Sequence, residues 1–158
     1  MAIRLGLQAV TLFKVAGVAD PGPWTPLTNL KDLTLNLETG EADVTTRGAQ
    51  GWRLTASTLR DASIEGELLW VPDGDPGFAA VRNAFLAGRP IGILALDGGI
   101  ERIGSEGLMA DMSVMSFSRK EPLEEALSVD LTLKPTFSAL PPQWVRVTAP
   151  GVVTPVEI

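Results

Sequence analysis

Two stretches of this 158-residue chain alternate apolar and polar residues without a break: Asp32-Leu33-Thr34-Leu35-Asn36-Leu37-Glu38 and Leu127-Ser128-Val129-Asp130-Leu131-Thr132-Leu133-Lys134. A period of two puts one face of a β-strand on a core and the other on water. The wet faces carry Asp32, Thr34, Asn36 and Glu38 in one strand, and Ser128, Asp130, Thr132 and Lys134 in the other. No group in either strand has the chemistry of a catalyst, so the pattern predicts a working surface rather than a reactive site.

The remaining elements follow from the same reading. Residues 1–29 predict an arm with a short strand near Leu5 to Val10. It is broken at Asp20-Pro21-Gly22-Pro23-Trp24-Thr25-Pro26, where three prolines remove backbone donors and Trp24 is expected to be exposed. Residues 30–46 predict a hairpin with Leu33, Leu35 and Leu37 facing in and a turn at Glu38-Thr39-Gly40-Glu41. Residues 47–52 predict a flexible loop carrying Trp52. Two strands follow, over 53–59 and 62–71. In the second, Ala62, Ile64, Gly66, Leu68 and Trp70 share one face, and Ser63, Glu65 and Glu67 the other.

A helix is expected over 76–87, with Asp75 as N-cap, Pro76 at the first position, and Phe78, Val81 and Phe85 on its buried face. Gly88 suits a left-handed C-terminal position, and Pro90 prevents continuation. Residues 91–96 read as an apolar strand and 107–118 as a long one, with a bulge after Ser113, where the second face turns apolar. A charged connection, a strand over 126–134 and a Pro-rich tail complete the chain; in the tail only Trp144–Val147 suggests a strand. The order predicts a mainly β fold, an antiparallel β-sandwich or partial barrel with one flanking α-helix. It is expected to be one domain: a 1–29 arm, a 30–135 core and a 136–158 C-terminal segment.

Composition narrows the function. Apolar residues make up 45% of the chain, which argues against disorder. The net charge of −6 makes it a poor clamp for phosphate backbones, without excluding a surface that nucleic acid slides past. There is no Cys and no His, hence no disulfide framework, no thiolate zinc site and no histidine base. Leu5 to Ala19 is too short and too interrupted by Arg4, Gln8 and Lys14 to span a bilayer, and reads as a strand or arm of the mature protein.

Each patch of candidate chemistry has a plainer explanation. Asp73-Gly74-Asp75 lacks the ligand ladder of a calcium loop and is explained as a turn with a helix cap. Glu121, Glu124 and Glu125 lie beside Arg119 and Lys120 and read as a solvated charged loop, or as ion pairs at a subunit boundary. Ser105, Ser113, Ser116 and Ser118 have no histidine base, and Lys120 sits in a polar loop. Gly104-Ser105-Glu106-Gly107 lacks the Lys-Ser/Thr pair of a phosphate loop. Met109, Met112 and Met115 read as core filling. Trp52, in a Gly-rich loop, reads as an interface anchor instead. No catalytic, cofactor-binding or metal residue is assigned.

Leu30 to Arg47, with Gly51-Trp52-Arg53 after it, resembles the major tail tube proteins of long-tailed bacteriophages. So do Gly107-Leu108-Met109-Ala110-Asp111, Phe117 to Ala126 and Ser128 to Pro135. These segments fall in the family's order from about Leu30 to Pro135. The resemblance implies a self-assembling structural subunit, not an enzyme, with no cofactor. It implies hexameric rings that stack into a tube, with other tail proteins as partners, no membrane, and DNA passing through without specific binding. The location implied is the tail of a virion, assembled in the bacterial cytoplasm; prophages and gene transfer agents carry related tubes. On that reading Asp32, Asn36, Glu38, Asp130 and Thr132 are the candidates to face the channel, and Trp24, Arg47, Gln50 and Trp52 the candidates for contacts between subunits or rings. The alternative is a stand-alone carbohydrate- or protein-binding β-sandwich, with Trp24, Trp52 or Trp144 lining a shallow site.

Overall fold

The computed structural model describes residues 3–157. Nine strands and one helix follow the chain in the order β1 (Val10–Lys14), β2 (Thr25–Pro26), β3 (Leu30–Asp43), β4 (Thr55–Leu69), α1 (Pro76–Ala87), β5 (Ile91–Leu96), β6 (Glu106–Lys120), β7 (Ser128–Pro135), β8 (Gln143–Ala149) and β9 (Val152–Pro155). All strand pairs are antiparallel. They form one continuous sheet in the order β2-β1-β5-β6-β7-β4-β3, with β8 on β6 and β9 on β8.

Strand β6 organises the molecule. Gly107 to Met112 pair with β5, whereas Met112 to Lys120 pair with β7. The change of partner coincides with a bulge at Met115, the extra residue between the Val114–Leu133 and Ser116–Thr132 pairs. This is the bulge expected after Ser113, and a bulge bends its strand. The sheet curls around a core built from both halves: Phe13, Ile91, Ile93, Leu108, Ala110 and Met112 from one side, Ile64, Leu68, Val129, Leu131 and Leu133 from the other, and Phe78 and Val81 from α1. A second, smaller core lies on the opposite face of β5, where β8 and β9 press Val145 and Val147 onto Leu12, Leu94 and Leu96. Strand β5 is therefore buried along its whole length, with alternate side chains serving the two cores.

Helix α1 begins and ends where the sequence places it. The Asp75 carboxylate accepts hydrogen bonds from the backbone N–H groups of Gly77 (3.3 Å) and Phe78 (3.1 Å), and Gly88 closes the helix at φ 64°. Its buried face differs from the expected one. Phe78, Val81 and Ala84 are buried, but Phe85 is 39% exposed and stacks on Phe117 with ring centroids 5.8 Å apart.

Other expectations need correction. No turn occurs at 38–41: β3 continues to Asp43 with only a register shift against β4 at Gly40, and the reversal comes at 44–54. Gly40 serves close approach instead, because a Cβ there would lie 2.5 Å from the Thr58 hydroxyl oxygen. The strands expected over 53–59 and 62–71 are one strand, β4, and the tail holds two strands rather than one. Residues 10–14 are not a free arm but an internal strand between β2 and β5. Leu33 and Leu37 are substantially exposed. Leu33 sits opposite Gly66, which offers no side chain, and Leu37 lies beyond the last β4–β7 pair, Ile64–Leu133.

Two phenylalanines one helix face apart should therefore respond differently. Phe78→Ala should cost about 3–5 kcal/mol, and Phe85→Ala about 1–2 kcal/mol, since only part of its area leaves water. Chemical denaturation of both variants checks this; equal losses would show that the helix face is misassigned.

Candidate assembly surface

Among the described residues the outer face of the β6-β7-β4-β3 half of the sheet carries no covering element, unlike the other half, which β8 and β9 cover. Its side chains line up in rows set by the register. Asp32 lies opposite Glu67, and Glu67 opposite Asp130, which pairs with Ser118. In the next row Thr34 faces Glu65, Glu65 faces Thr132, and Thr132 faces Ser116. Further on, Asn36 faces Ser63, joined by a 3.4 Å hydrogen bond from the amide nitrogen, and Glu38 faces Asp61. Four of the expected channel-facing residues thus fall on one half-sheet with their register partners, and Glu38 extends it toward the tip of the β3–β4 hairpin.

Like charges directly opposite on neighbouring strands are unfavourable. The Asp32-Glu67-Asp130 row is relieved at one end, where the Lys120 ammonium lies 3.1 Å from Asp130. Hydrogen bonding to Asp130, and then its charge, holds the Lys120 pKa above its ordinary value. Lys134 is the other cation of this face, beside Glu38, Asp61 and Glu65. The face remains acidic, polar and shallow. The five candidates read from the sequence lie on β3 and β7, two of them in the first row, and leave out Asp61, Glu65 and Glu67 of β4. The signal was present in the alternation of Ser63, Glu65 and Glu67, which belongs to the same wet face.

Two sheet edges border this surface. The outer edge of β3 has no strand beside it among the described residues, and β6 beyond Met112 has none on its β5 side. Their charges differ in sign. The free half of β6, Ser113 to Lys120, holds no acid and two cations, Arg119 and Lys120, which pair within the chain with Glu121 and Asp130, while β3 holds Asp32, Glu38, Glu41 and Asp43 against Lys31.

Beyond Ile64, β3 and β4 continue as a two-stranded hairpin with no third strand among the described residues. Such a ribbon is marginal alone in water. Its connection holds a 3₁₀ turn at Arg47–Ala49, then Gln50 in the left-handed region at φ 51°. Asp43 opens the connection by accepting from the Thr45 N–H at 2.9 Å, and the Thr45 hydroxyl and N–H hold its carboxyl below its ordinary pKa. Trp52 is 76% exposed, and Leu59, Val44 and Leu54 are exposed with it. Arg47, Gln50 and Trp52 are thus gathered at one hairpin end. Trp24 is not exposed as expected: it packs, half-buried, against the second core, with the Lys14 ammonium 4.5 Å from its ring centroid.

Among the described residues no acidic cluster has the arrangement of a metal site, and no helix is long and apolar enough to cross a membrane.

Residues 9–136 match the family model for phage tail tube proteins. No curated protein matches the chain by sequence. Among solved structures, a chain from the virion of a native gene transfer agent is similar at TM-score 0.67 and 16% identity, over 86% of this chain and 96% of that one. A chain from the tail of an empty gene transfer agent particle, refined with C6 symmetry, gives 0.65 and 18%, with the same coverages. The SPP1 tail tube gives 0.64 and 17%, over 84% of this chain and 75% of that one.

The Lys120–Asp130 pair gives a direct test of the register. Because the folded-state pKa of Lys120 is raised, the pair's contribution is full below the unfolded lysine value of about 10.4 and is lost as pH rises through the folded value. An NMR titration of the Lys120 ammonium should give a midpoint above that of a free lysine, and Asp130→Asn should lower it. No response to that substitution would contradict the pairing.

Proposed function

The chain belongs to the phage tail tube protein family, and from that membership we propose how it builds a tube. The uncovered, acidic half-sheet is the inner wall. The β3 edge of one copy pairs with the free half of β6 of the next, acid against base, so that the four-stranded sheets run on around a ring. The contact joins two different surfaces and is heterologous, which closes into a ring when the rotation permits. Closure also removes the exposed edges that would otherwise recruit stray strands.

Six copies, the symmetry of the gene transfer agent tail, would give about 24 wall strands at a spacing of about 4.8 Å, hence a backbone diameter of about 37 Å or more once the strands tilt. That leaves room for a double helix. The wall chemistry suits passage rather than binding. Asp32, Glu67, Glu65, Glu38, Asp61 and Asp130 repel phosphate over about 8–10 Å at ordinary salt, and the hydroxyls and amides between them are weak ligands. The subunit works by geometry and charge, without a catalytic step. The reading places it in the tail of a phage or gene transfer agent particle, assembled in the host cytoplasm beside other tail proteins. The β3–β4 hairpin with Arg47, Gln50 and Trp52 then reaches a copy in the adjoining ring. The observation that carries this reading is the division of one sheet into a covered half and an uncovered acidic half bounded by two unpaired edges of opposite charge.

Two experiments test it. Asn36→Lys, Glu38→Lys and Glu65→Lys together leave the Lys120–Asp130 pair intact and should yield tubes that retain DNA. Ejection should slow most at low salt; a normal rate there would mean that these rows do not meet the DNA. Trp52→Ser should leave the melting curve unchanged but abolish stacked tubes in electron micrographs. Tubes of ordinary length from that variant would remove the hairpin end from the ring contact.

A further inference from the structure

Two exposed surfaces outside the wall complement each other. On the outside of α1, Arg82, Phe85 and Leu86 share one stripe, and Arg89 follows just past the Gly88 cap. Leu86 is 73% exposed, and Phe85, braced by its stack on Phe117, forms a firm apolar ledge beside it. Arg82 leans over the Phe78 ring, and neither it nor Arg89 forms an ion pair among the described residues.

The second surface is the connection Glu121-Pro122-Leu123-Glu124-Glu125 between β6 and β7. Leu123 is 100% exposed at its tip. Glu121 is occupied by Arg119 at 2.6 Å, whereas Glu124 and Glu125 form no ion pair among the described residues. Pro122 fixes one backbone angle, and the Arg119–Glu121 pair tethers the loop base, so less ordering is needed on contact. One isolated exposed leucine is unremarkable. Here an apolar knob rimmed by carboxylates matches an apolar ledge rimmed by guanidinium groups on the same polypeptide, and no hydrogen bond or ion pair joins the two within one chain.

We propose that the 121–125 loop of one copy seats Leu123 on the Phe85–Leu86 ledge of a second copy, with Glu124 and Glu125 facing Arg82 and Arg89. The choice of a second copy as occupant rests on the tube reading, and the charge and apolar match selects this pair of surfaces. The contact adds to the β3–β6 edge pairing and gives it a salt-sensitive partner. Charged rims of this kind govern specificity and association more than total affinity.

A charge exchange tests it. Glu124→Arg with Glu125→Arg, or Arg82→Glu with Arg89→Glu, should raise the concentration needed for tube formation about tenfold or more, with unchanged far-ultraviolet circular dichroism. Mixing the two double variants should restore assembly, because both contacts between unlike copies then pair opposite charges, the arginine loop on the glutamate ledge and the native glutamate loop on the native arginine ledge. Equal assembly by wild type and both variants overturns the proposal. The chain has no Cys, so Leu86→Cys and Leu123→Cys variants, mixed under mild oxidation, should give a covalent dimer that neither gives alone. Its absence overturns the contact whether or not tubes form. A covalent dimer from a protein that never forms rings or tubes would instead leave the contact standing and remove the tube.

Discussion

An unpaired strand edge is the constraint on which the rest of this structure turns. Every buried backbone N–H and C=O needs a partner, and an open sheet necessarily leaves strand edges that it cannot satisfy by itself. The chain protects β1 and β5 by placing them inside the sheet and covering their outer face with β8 and β9. The short strands β2 and β9 end the covered half, while the longer bare edges, β3 and the second half of β6, flank the half-sheet that carries rows of carboxylates. An edge of that length invites unwanted pairing unless a specific partner takes it, and the partner proposed above for each is the other edge in a second copy.

The same division accounts for the two cores. The larger one is enclosed by the curl of the sheet and plugged by α1, so it gives the subunit stability that does not depend on assembly. The smaller one, with Leu94 and Val145 at its centre, fastens the C-terminal hairpin over the covered half. The uncovered acidic face carries no core among the described residues. Its carboxylate rows are unfavourable for an isolated sheet, and folding gains nothing from placing Glu67 between Asp32 and Asp130. Such an arrangement makes physical sense where the surface must repel something passing near it.

Much of this was legible before the structure. Asp75 and Gly88 bracket the helix because capping is local chemistry, decided by a few neighbouring residues. The bulge after Ser113 showed in the sequence because the apolar phase of β6 changes there. What failed was decided at a distance. Gly40 looks like a turn residue, yet the long β4 partner holds it extended. Phe85 has helical spacing from Phe78, but the core ends before reaching it. Trp24 lies among prolines that suggest a free arm, while Lys14 and the second core claim it. For the surface, alternation identified Asp32, Asn36, Asp130 and Thr132, but only the register reveals that β4 supplies the middle of each row. The channel and interface roles of these residues rest on the proposal rather than on the sequence pattern.

Strand β6 belongs to both halves of the sheet, its first half locked between β5 and β8 and its second half bonded to β7. On the proposed arrangement, the lining of the tube and the layer behind it are therefore one covalent ribbon. Separating them would require breaking the main chain, or shearing many hydrogen bonds at once, rather than peeling them in sequence. The bulge at Met115 is then the compliant point of that ribbon, where curvature can be taken up without opening the lining.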